Sequence, residues 1–324
     1  MNGISIIITA YNRDNFIHEA VKSILRQHCM PEHIEIIIVS NFDLQIDDGD
    51  KVEIRKIKME GKIGEYLHTG ITSAKYDIIA FLEDDDLWEK DKICRILNVF
   101  KDDAISYYHN QVKYINEDGE MIEYARPVEK NDTQSLKGSF IIRDEKKFNF
   151  IKWLLNKQAD FNLSSMVIRK PFFLPFLDDL KKITACPDGF FFWSALLGKG
   201  SLYIDGSKLT KYRIHQLNTT GGNFKSKASE KKRMTKTYKI LLNKADALHP
   251  DFKAWLELLY DENEFLYLFF YQAPKSILIR KMERLVLYPA NMQNTLRNRE
   301  LGIGILYILS KKMASKVYWR FASI

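Results

Sequence analysis

An apolar run that ends in four consecutive acidic residues is the feature that most constrains the fold of this chain. Residues 78–82 read I-I-A-F-L, and Glu83, Asp84, Asp85 and Asp86 follow at once. Buried strands of parallel sheets are continuous apolar runs, and open α/β sheets bind ligands at the carboxyl ends of their strands. Adjacent carboxylates repel one another, and their hard oxygen atoms suit Mg²⁺ or Mn²⁺. The pattern predicts a cation site at a sheet edge, completed by a phosphate-bearing substrate.

Asp86 also has a structural interpretation. The sequence D-L-W-E that it begins is typical of a helix start, with Asp86 as N-cap and Glu89 three residues later. We therefore expect Asp86 to be structural, which leaves Glu83, Asp84 and Asp85 for the chemistry.

The first hundred residues alternate between strand and helix patterns. Residues 4–9, 34–39 and 52–57 have strand character, and apolar residues recur at helical spacing after each of the first and third runs. Such alternation predicts an α/β fold with a mostly parallel sheet flanked by helices. Neither G-x-G-x-x-G nor G-x-x-x-x-G-K-[ST] occurs, which counts against dinucleotide binding and a P-loop.

Composition places the chain among large globular proteins. With 324 residues, 46% of them hydrophobic, it is long enough for one catalytic domain and an extension. Cys29, Cys94 and Cys186 lack metal-site spacing, which predicts a reduced cytosolic setting. Without a signal-type segment, and with residues 303–309 as the longest late apolar run, we expect a cytoplasmic protein that is soluble or peripheral to the membrane.

Three segments together resemble glycosyltransferase family 2. They are S-I-I-I-T-A-Y-N-R near the start, I-E-I-I-I-V-S-N after the first helix, and A-K-Y-D-I-I-A-F-L-E-D-D-D-L-W. The resemblance implies a Rossmann-like GT-A fold and a nucleotide-sugar donor. It covers residues 1–222, which we assign to a catalytic domain, and leaves residues 223–324 as a basic, mainly helical region.

The resemblance also implies a donor and metal site. The acidic motif corresponds to the family's D-x-D signature, in which Asp85 ligates Mn²⁺ or Mg²⁺ and Glu83 or Asp84 faces the ribose or sugar. Ser40 replaces the family's frequent base-reading aspartate, and Glu83 replaces its first aspartate. Lys62 and His68 either face the diphosphate or are solvated helix residues. The residues expected to hold the nucleobase are Thr9, Ala10, Tyr11, Arg13 and Asn41.

Two later motifs complete the implied site. In C-P-D-G, Asp188 matches the family's general base for inverting transfer, although it is also a plausible N-cap, and Pro187 replaces a glutamate. In Y-R-I-H, the match places Arg213 near the phosphates and His215 near the metal or diphosphate.

The segment between these motifs and the central strand is expected to surround the acceptor. Residues 111–124 alternate around N-E-D-G, which predicts a hairpin. Residues 125–150 are polar and lack periodicity, which predicts a mobile loop. Residues 162–169 resemble the family's strand beneath the acceptor pocket.

Basic character is concentrated in the last hundred residues. Residues 225–324 have a net charge of +10, against −3 for residues 1–224. Residues 225–247 and 252–271 are helix candidates, and residues 302–317 form an apolar and basic pattern before Trp319 and Phe321. That composition fits an interfacial helix on an anionic membrane, or equally a helix packed against the catalytic domain or a second subunit. Nucleic-acid binding is not expected because no such motif occurs.

We therefore expect a metal-dependent, inverting glycosyltransferase that acts on a glycan or lipid-linked acceptor. Two alternatives stay open. A sugar-nucleotide nucleotidyltransferase also uses carboxylate-bound Mg²⁺, although its glycine-rich N-terminal loop is missing from T-A-Y-N-R. A non-catalytic binding module that retains the fold is the other.

Overall fold

The structure is a computed structural model that describes residues 3–46, 52–123, 136–215, 224–245 and 250–288. The chain forms two compact units. The first comprises Met1–Ile122 and Ser135–His215, and the second comprises Glu123–Gln134 and Gln216–Ile324.

Four parallel strands form one half of the sheet in the first unit. They are β1 (Ile4–Ala10), β2 (Ile34–Ser40), β3 (Glu53–Lys58) and β4 (Ile78–Glu83), in the spatial order β3-β2-β1-β4. Every residue of β1 and β2 is buried, as expected for strands covered on both faces. Thr9 lies opposite both Val39 and Glu83. The loops after β1, β2 and β4 therefore emerge at the same edge.

Five further strands extend this sheet with mixed direction. They are β5 (Leu87–Trp88), β6 (Ile105–Ile115), β7 (Ser139–Ile142), β8 (Met166–Arg169) and β9 (Ser201–Arg213). From β4 the order continues β8-β6-β9-β5, and β7 pairs with β9. β8 runs antiparallel to both β4 and β6, which brings the residues just before it beside the end of β4.

Helices cover both faces of the sheet. They are α1 (Ile17–Leu25), α2 (Ile63–Ser73), α3 (Lys92–Val99), α4 (Ile151–Asn156), α5 (Lys170–Phe173), α6 (Leu177–Leu180) and α7 (Pro187–Leu197). One core contains Ile6 and Ile8 of β1 with the apolar faces of α1 and α3. On the other face, Gly70 of α2 packs closely against Ile7, and Phe191 of α7 lies 4.7 Å from Phe81 between ring centroids.

The structure corrects two local predictions about secondary structure. Asp86 is not a helix cap, because Leu87–Trp88 pairs with β9 and α3 begins only at Lys92. Residues 136–150 are not a loop throughout, since they contain β7 and a 3₁₀ helix at Asp144–Phe150. The remainder of that predicted loop, residues 125–135, lies outside the described residues.

The predicted hairpin is present. Ile115 forms an isolated bridge with Met121, and the turn between them has Gly119 at φ 81°.

The expectation of reduced thiols is wrong for two of the three cysteines. Cys29 and Cys94 form a disulfide with a Cα–Cα distance of 5.0 Å. Two hydrogen bonds join the same segments. The Gln27 side chain accepts from the Ile93 backbone amide and donates to the Glu89 backbone carbonyl. The disulfide thus ties the end of α1 to the start of α3, while Cys186 is free.

Three helices make up the described part of the second unit. They are α8 (Phe224–Ala245), α9 (Pro250–Phe270) and α10 (Lys275–Val286). The two helices predicted from sequence here are present, whereas the amphipathic pattern of residues 302–321 lies outside the described residues. Within the described ranges, no helix is both long and apolar enough to cross a membrane.

Candidate active site

Arg13, in the loop after β1, binds two carboxylates of the acidic motif. Its Nε and Nη2 atoms donate to the two Asp84 oxygens at 2.8 and 2.7 Å, and Nη2 also donates to Asp85 Oδ2 at 2.5 Å. A bidentate guanidinium–carboxylate pair is a strong, geometrically specific contact. Arg13, which the resemblance places at the nucleobase, therefore lies beside Asp84 and Asp85 at the carboxyl edge of the sheet, and its contact with a base stays a prediction.

Asp86 is the structural member of the motif. It is fully buried, and its carboxylate accepts from Asn162 Nδ2 at 2.7 Å, Ser164 Oγ at 2.6 Å and the Arg213 amide at 3.0 Å. Three donors from two other segments thus fix the turn that carries Asp84 and Asp85.

The four acidic side chains of the motif differ in pKa because burial, hydrogen bonds and neighbouring charges act on each of them differently. Burial raises the pKa of Asp84 to about 6 against the opposing hydrogen bond from Arg13, and it raises the pKa of Asp86 to about 7 with help from the charge of Asp85. Glu83 has its pKa raised well above the usual range by burial and by the charges of Asp85 and Asp86. Burial alone would raise the pKa of Asp85 as well, but the hydrogen bond from His215 and the charge of Arg13 lower it. Asp85 is accordingly the member held as a carboxylate.

His215 contacts the same oxygen of Asp85. Its Nε2 atom lies 3.0 Å from Asp85 Oδ2, and its ring packs 5.3 Å from that of Phe16. A carboxylate beside an imidazole is a donor set that Mn²⁺ accepts, and the surplus of buried carboxylates favours a cation. Among the residues the structure describes, no three His, Cys, Asp or Glu side chains converge as a metal cage. Donor phosphates and water would have to complete the shell, as is usual for Mg²⁺.

Arg213 is fully buried behind the motif. Its Nε donates to the Asp85 carbonyl at 2.8 Å, Nη2 to Glu19 Oε2 at 2.6 Å and Nη1 to the Glu117 carbonyl at 2.5 Å. Its guanidinium carbon also lies 4.5 Å above the Phe16 ring. The residue therefore holds the acidic turn in place, and contact with phosphates stays a prediction that would require some of these bonds to be exchanged.

Asp188 stands at the start of α7, one residue after Pro187. Its Oδ1 accepts from the Gly189 amide at 2.9 Å and its Oδ2 from the Asn162 amide at 3.2 Å. The N-cap of α7 is Cys186, so Asp188 does not occupy that position. The side chain is partly exposed and close enough to Glu83 to influence its ionisation. It is thus a fixed carboxylate at the margin of the acidic cluster.

Three residues with left-handed backbone conformation adjoin the site. They are Asn12 at φ 55°, Asn162 at φ 67° and Cys186 at φ 56°. Asn12 precedes Arg13, Asn162 donates to Asp86, and Cys186 precedes the Pro187-Asp188 pair. Non-glycine residues in this region are strained, and such strain is concentrated at functional sites.

The residues expected to hold the nucleobase lie at the ends of β1 and β2. Thr9 and Ala10 are buried, while Tyr11 is 54% exposed with its ring 6.2 Å from that of Tyr66. Asn41 accepts from the Asn12 amide at 2.9 Å, and its amide nitrogen donates to Asn12 Oδ1. Ser40 donates to the Phe42 carbonyl at 2.8 Å. Their role in base binding stays a prediction.

Lys62 and His68 lie on α2. Lys62 is the exposed N-cap residue, and its amide donates to Glu65 Oε2 at 2.7 Å. His68 is half-buried, and burial together with the charge of Lys181 lowers its pKa. Diphosphate contact by either residue stays a prediction.

Three polar residues that sequence reasoning missed support the acidic turn. Ser164 donates to Asp86 and accepts from the Glu83 amide at 2.9 Å. Lys92 is buried, and its ammonium donates to the Ser164 carbonyl and to Thr210 Oγ1. Asn162 is the third and is the N-cap residue of the short 3₁₀ helix Leu163–Ser165 that precedes β8; the available clue was that asparagine tolerates left-handed conformations.

The chain is similar to known glycosyltransferases in sequence. Residues 5–162 match the family model of glycosyl transferase family 2. An uncharacterized glycosyltransferase of Rickettsia conorii is 37% identical over 134 residues, which cover 37% of this chain and 21% of that protein. The chain thus spans about a fifth of that relative's length. The resemblance to glycosyltransferase family 2 is confirmed.

Solved structures show the same fold. The structure of S. aureus TarS 1–349 in complex with UDP-GlcNAc has a TM-score of 0.62 and 13% identity, covering 98% of this chain and 92% of that one. The mannosyltransferase PcManGT from Pyrobaculum calidifontis, in complex with GDP-Man and Mn²⁺, has a TM-score of 0.52 and 13% identity, covering 95% and 87%. The expected GT-A fold with a helical C-terminal region is confirmed.

Proposed function

Because residues 5–162 match glycosyl transferase family 2, we propose that the protein transfers a sugar from a nucleotide-sugar donor to an acceptor hydroxyl. The observation that carries the proposal is the cluster of Arg13, Asp84, Asp85 and His215 at the carboxyl edge of parallel strands. In open α/β sheets this edge is where ligands bind. The nucleobase would lie against Tyr11 and Asn41, and the diphosphate near Asp85.

We assign Asp85 and His215 as the protein ligands of a divalent metal. When bound, Mn²⁺ or Mg²⁺ would neutralise charge that develops on the departing nucleotide diphosphate. Arg13 keeps Asp84 and Asp85 beside each other, and Asp86 with its three donors holds the turn. Each of these groups is held by hydrogen bonds within the protein itself, and such preorganisation is what makes electrostatic stabilisation effective.

Asp188 is the proposed general base. It would take the proton of the acceptor hydroxyl as that oxygen forms a bond to the anomeric carbon and the bond to the phosphate oxygen breaks on the opposite face. The configuration of the sugar is thereby inverted. The amides of Gly189 and Asn162 hold the carboxylate still, and general-base help of this kind is worth about 10²–10⁴ in rate. The acceptor we propose is a glycan or a lipid-linked carrier.

A thermal-shift panel tests the donor site. UDP-, GDP- and dTDP-sugars would be added with and without Mn²⁺ to the wild type, to Asp85→Ala and to Asp178→Ala, whose side chain on α6 is 93% exposed. A ligand that binds only the native state raises the melting temperature. We expect one nucleotide class to stabilise the wild type and Asp178→Ala in the presence of Mn²⁺, but not Asp85→Ala. No shift with any donor would overturn the proposal for these nucleotides.

A further inference from the structure

Helix α8 presents a strongly basic surface. Residues 224–245 contain eight Lys or Arg and a single acid, Glu230. Five of the cations are exposed, and they recur along 15 residues of the helix: Lys225, Lys232, Arg233, Lys236 and Lys239. At 1.5 Å per residue these charges extend along roughly 21 Å of the helix.

The opposite side of α8 explains why this helix stays folded. Tyr238, Leu241 and Ala245 are buried, and α9 is the principal helix against which α8 packs. On the exposed side Lys232 Nζ lies 5.5 Å from the centre of the Tyr267 ring, but like charges four residues apart, such as Lys232 and Lys236, destabilise a helix. Within the described ranges, Lys225, Lys236 and Lys239 form no ion pair or hydrogen bond through their side chains. An anionic partner would relieve this repulsion.

Helix α10 of the same unit adds exposed apolar side chains. Ile277 is 44% exposed, Val286 53% and Leu287, directly after the helix, 83%. Lys275 and Arg280 are exposed among them, whereas the exposed Arg284 pairs with Asp261 through Nε at 2.7 Å and Glu283 is an exposed acid of the same helix. Large apolar side chains left in solvent beside basic residues are typical of surfaces that bind membranes.

We propose that the unit formed by α8, α9 and α10 docks on an anionic lipid bilayer. The lysines of α8 would face the headgroups, and the exposed apolar side chains at α10 would enter the interface. A soluble anionic polymer would account for the lysines alone, whereas a bilayer accounts for both sets of side chains. One basic segment together with an apolar anchor is also the combination that gives stable peripheral binding. This proposal does not depend on the sugar-transfer proposal.

Vesicle sedimentation of the full chain tests the proposal. The vesicles are phosphatidylcholine alone, or equal parts of phosphatidylcholine and phosphatidylglycerol. We expect binding to the anionic vesicles only, and its loss near 1 M salt, where the Debye length falls to about 3 Å. The triple variant Lys225→Gln/Lys236→Gln/Lys239→Gln should bind on the order of 100-fold more weakly, because each lysine near an anionic surface is worth about fivefold.

Two controls make the test specific. Lys90→Gln/Lys146→Gln/Lys199→Gln removes the same charge from exposed positions of the first unit and should bind as the wild type does. Leu287→Ser should bind anionic vesicles about tenfold more weakly, since it removes the most exposed apolar side chain. The α8 triple variant should melt at or above the wild-type temperature, because it removes repulsion between like charges, and the first-unit triple variant should melt at the wild-type temperature.

Four results would overturn the proposal: equal binding to neutral vesicles, no binding to either kind, equal effects of the two triple variants, or an unchanged Leu287→Ser. If Leu287→Ser bound as the wild type does while the triple variant of Lys225, Lys236 and Lys239 bound more weakly, the basic surface would be assigned to an anionic polymer instead. A concentration-dependent dimer that Leu287→Ser abolishes would assign the apolar side chains to a second copy of the chain.

Discussion

Replacing Asn162 with alanine should lower the free energy of unfolding by more than the loss of any one hydrogen bond in this region, because three separate contributions are lost together. Loss of the Nδ2 donor to the buried Asp86 carboxylate costs about 2 kcal/mol, because hydrogen bonds to charged groups are the stronger ones. Ser165 Oγ, which donates to Asn162 Oδ1 at 2.9 Å, loses its acceptor at about 1 kcal/mol. Alanine at φ 67° adds about 1 kcal/mol of backbone strain. The sum is a loss of about 4 kcal/mol in the free energy of unfolding.

Urea denaturation of Asn162→Ala and Ser165→Ala measures this loss. Ser165→Ala removes only the second of the three contributions, so it should lower the free energy of unfolding by about 1 kcal/mol. A difference of about 3 kcal/mol between the two variants then belongs to the Asp86 contact and the backbone strain. If Asn162→Ala were no less stable than Ser165→Ala, Asn162 would not hold Asp86 as described.

Three further substitutions test the scaffold by the same assay. A Cys29→Ser/Cys94→Ser double variant should lose about 4 kcal/mol, since the disulfide joins residues 65 positions apart, and an unchanged urea midpoint would contradict this. Burial lowers the pKa of His109 to about 4, whereas the unfolded ring titrates near 6.5. The native state binds fewer protons at His109 in that window, so the stability difference between the wild type and His109→Gln should shift against the wild type by about 3 kcal/mol as the pH falls from 6.5 to 4. Gly64→Ala should lose more than about 3 kcal/mol, because a Cβ there would lie 1.9 Å from the Leu180 carbonyl oxygen, whereas Gly138→Ala, with nothing within 4 Å, should lose only about 1 kcal/mol for its φ of 84°.

The parallel half of the sheet was predictable because its determinants are local. Continuous apolar runs specify β1, β2 and β4, and helical spacing of Ile17, Ala20 and Ile24 specifies α1. The region after Asp85 was not predictable in this way. The sequence D-L-W-E has the composition of a helix start, but pairing of Leu87 and Trp88 with β9 overrides it. That strand lies more than a hundred residues away, so no local pattern contains the information.

The candidate site was likewise predictable only in part. Asp85 and His215 were expected near one metal, and the structure brings them into contact. Arg13 was expected at the nucleobase, and its pairing with Asp84 and Asp85 was not predicted. The residues that hold the acidic turn, Ser164 and Lys92, were not expected. Serine and lysine are common at exposed positions, and only the fold shows that these two are buried against the turn. The Cys29–Cys94 disulfide was missed for a related reason. Cysteine spacing was used to infer a reducing compartment, but spacing does not show which cysteines become neighbours in the fold.

Donor turnover is the most direct test of the proposed chemistry. Release of the nucleotide diphosphate would be measured for the donor that the thermal-shift panel identifies, with water or a glycan as acceptor, using the wild type and Asp188→Asn. We predict that Asp188→Asn binds the donor as well as the wild type does but releases the diphosphate about 10²–10⁴ times more slowly. Release at the wild-type rate would remove Asp188 from the mechanism, and a wild type that binds the donor but never releases the diphosphate would make the protein a binding module rather than an enzyme.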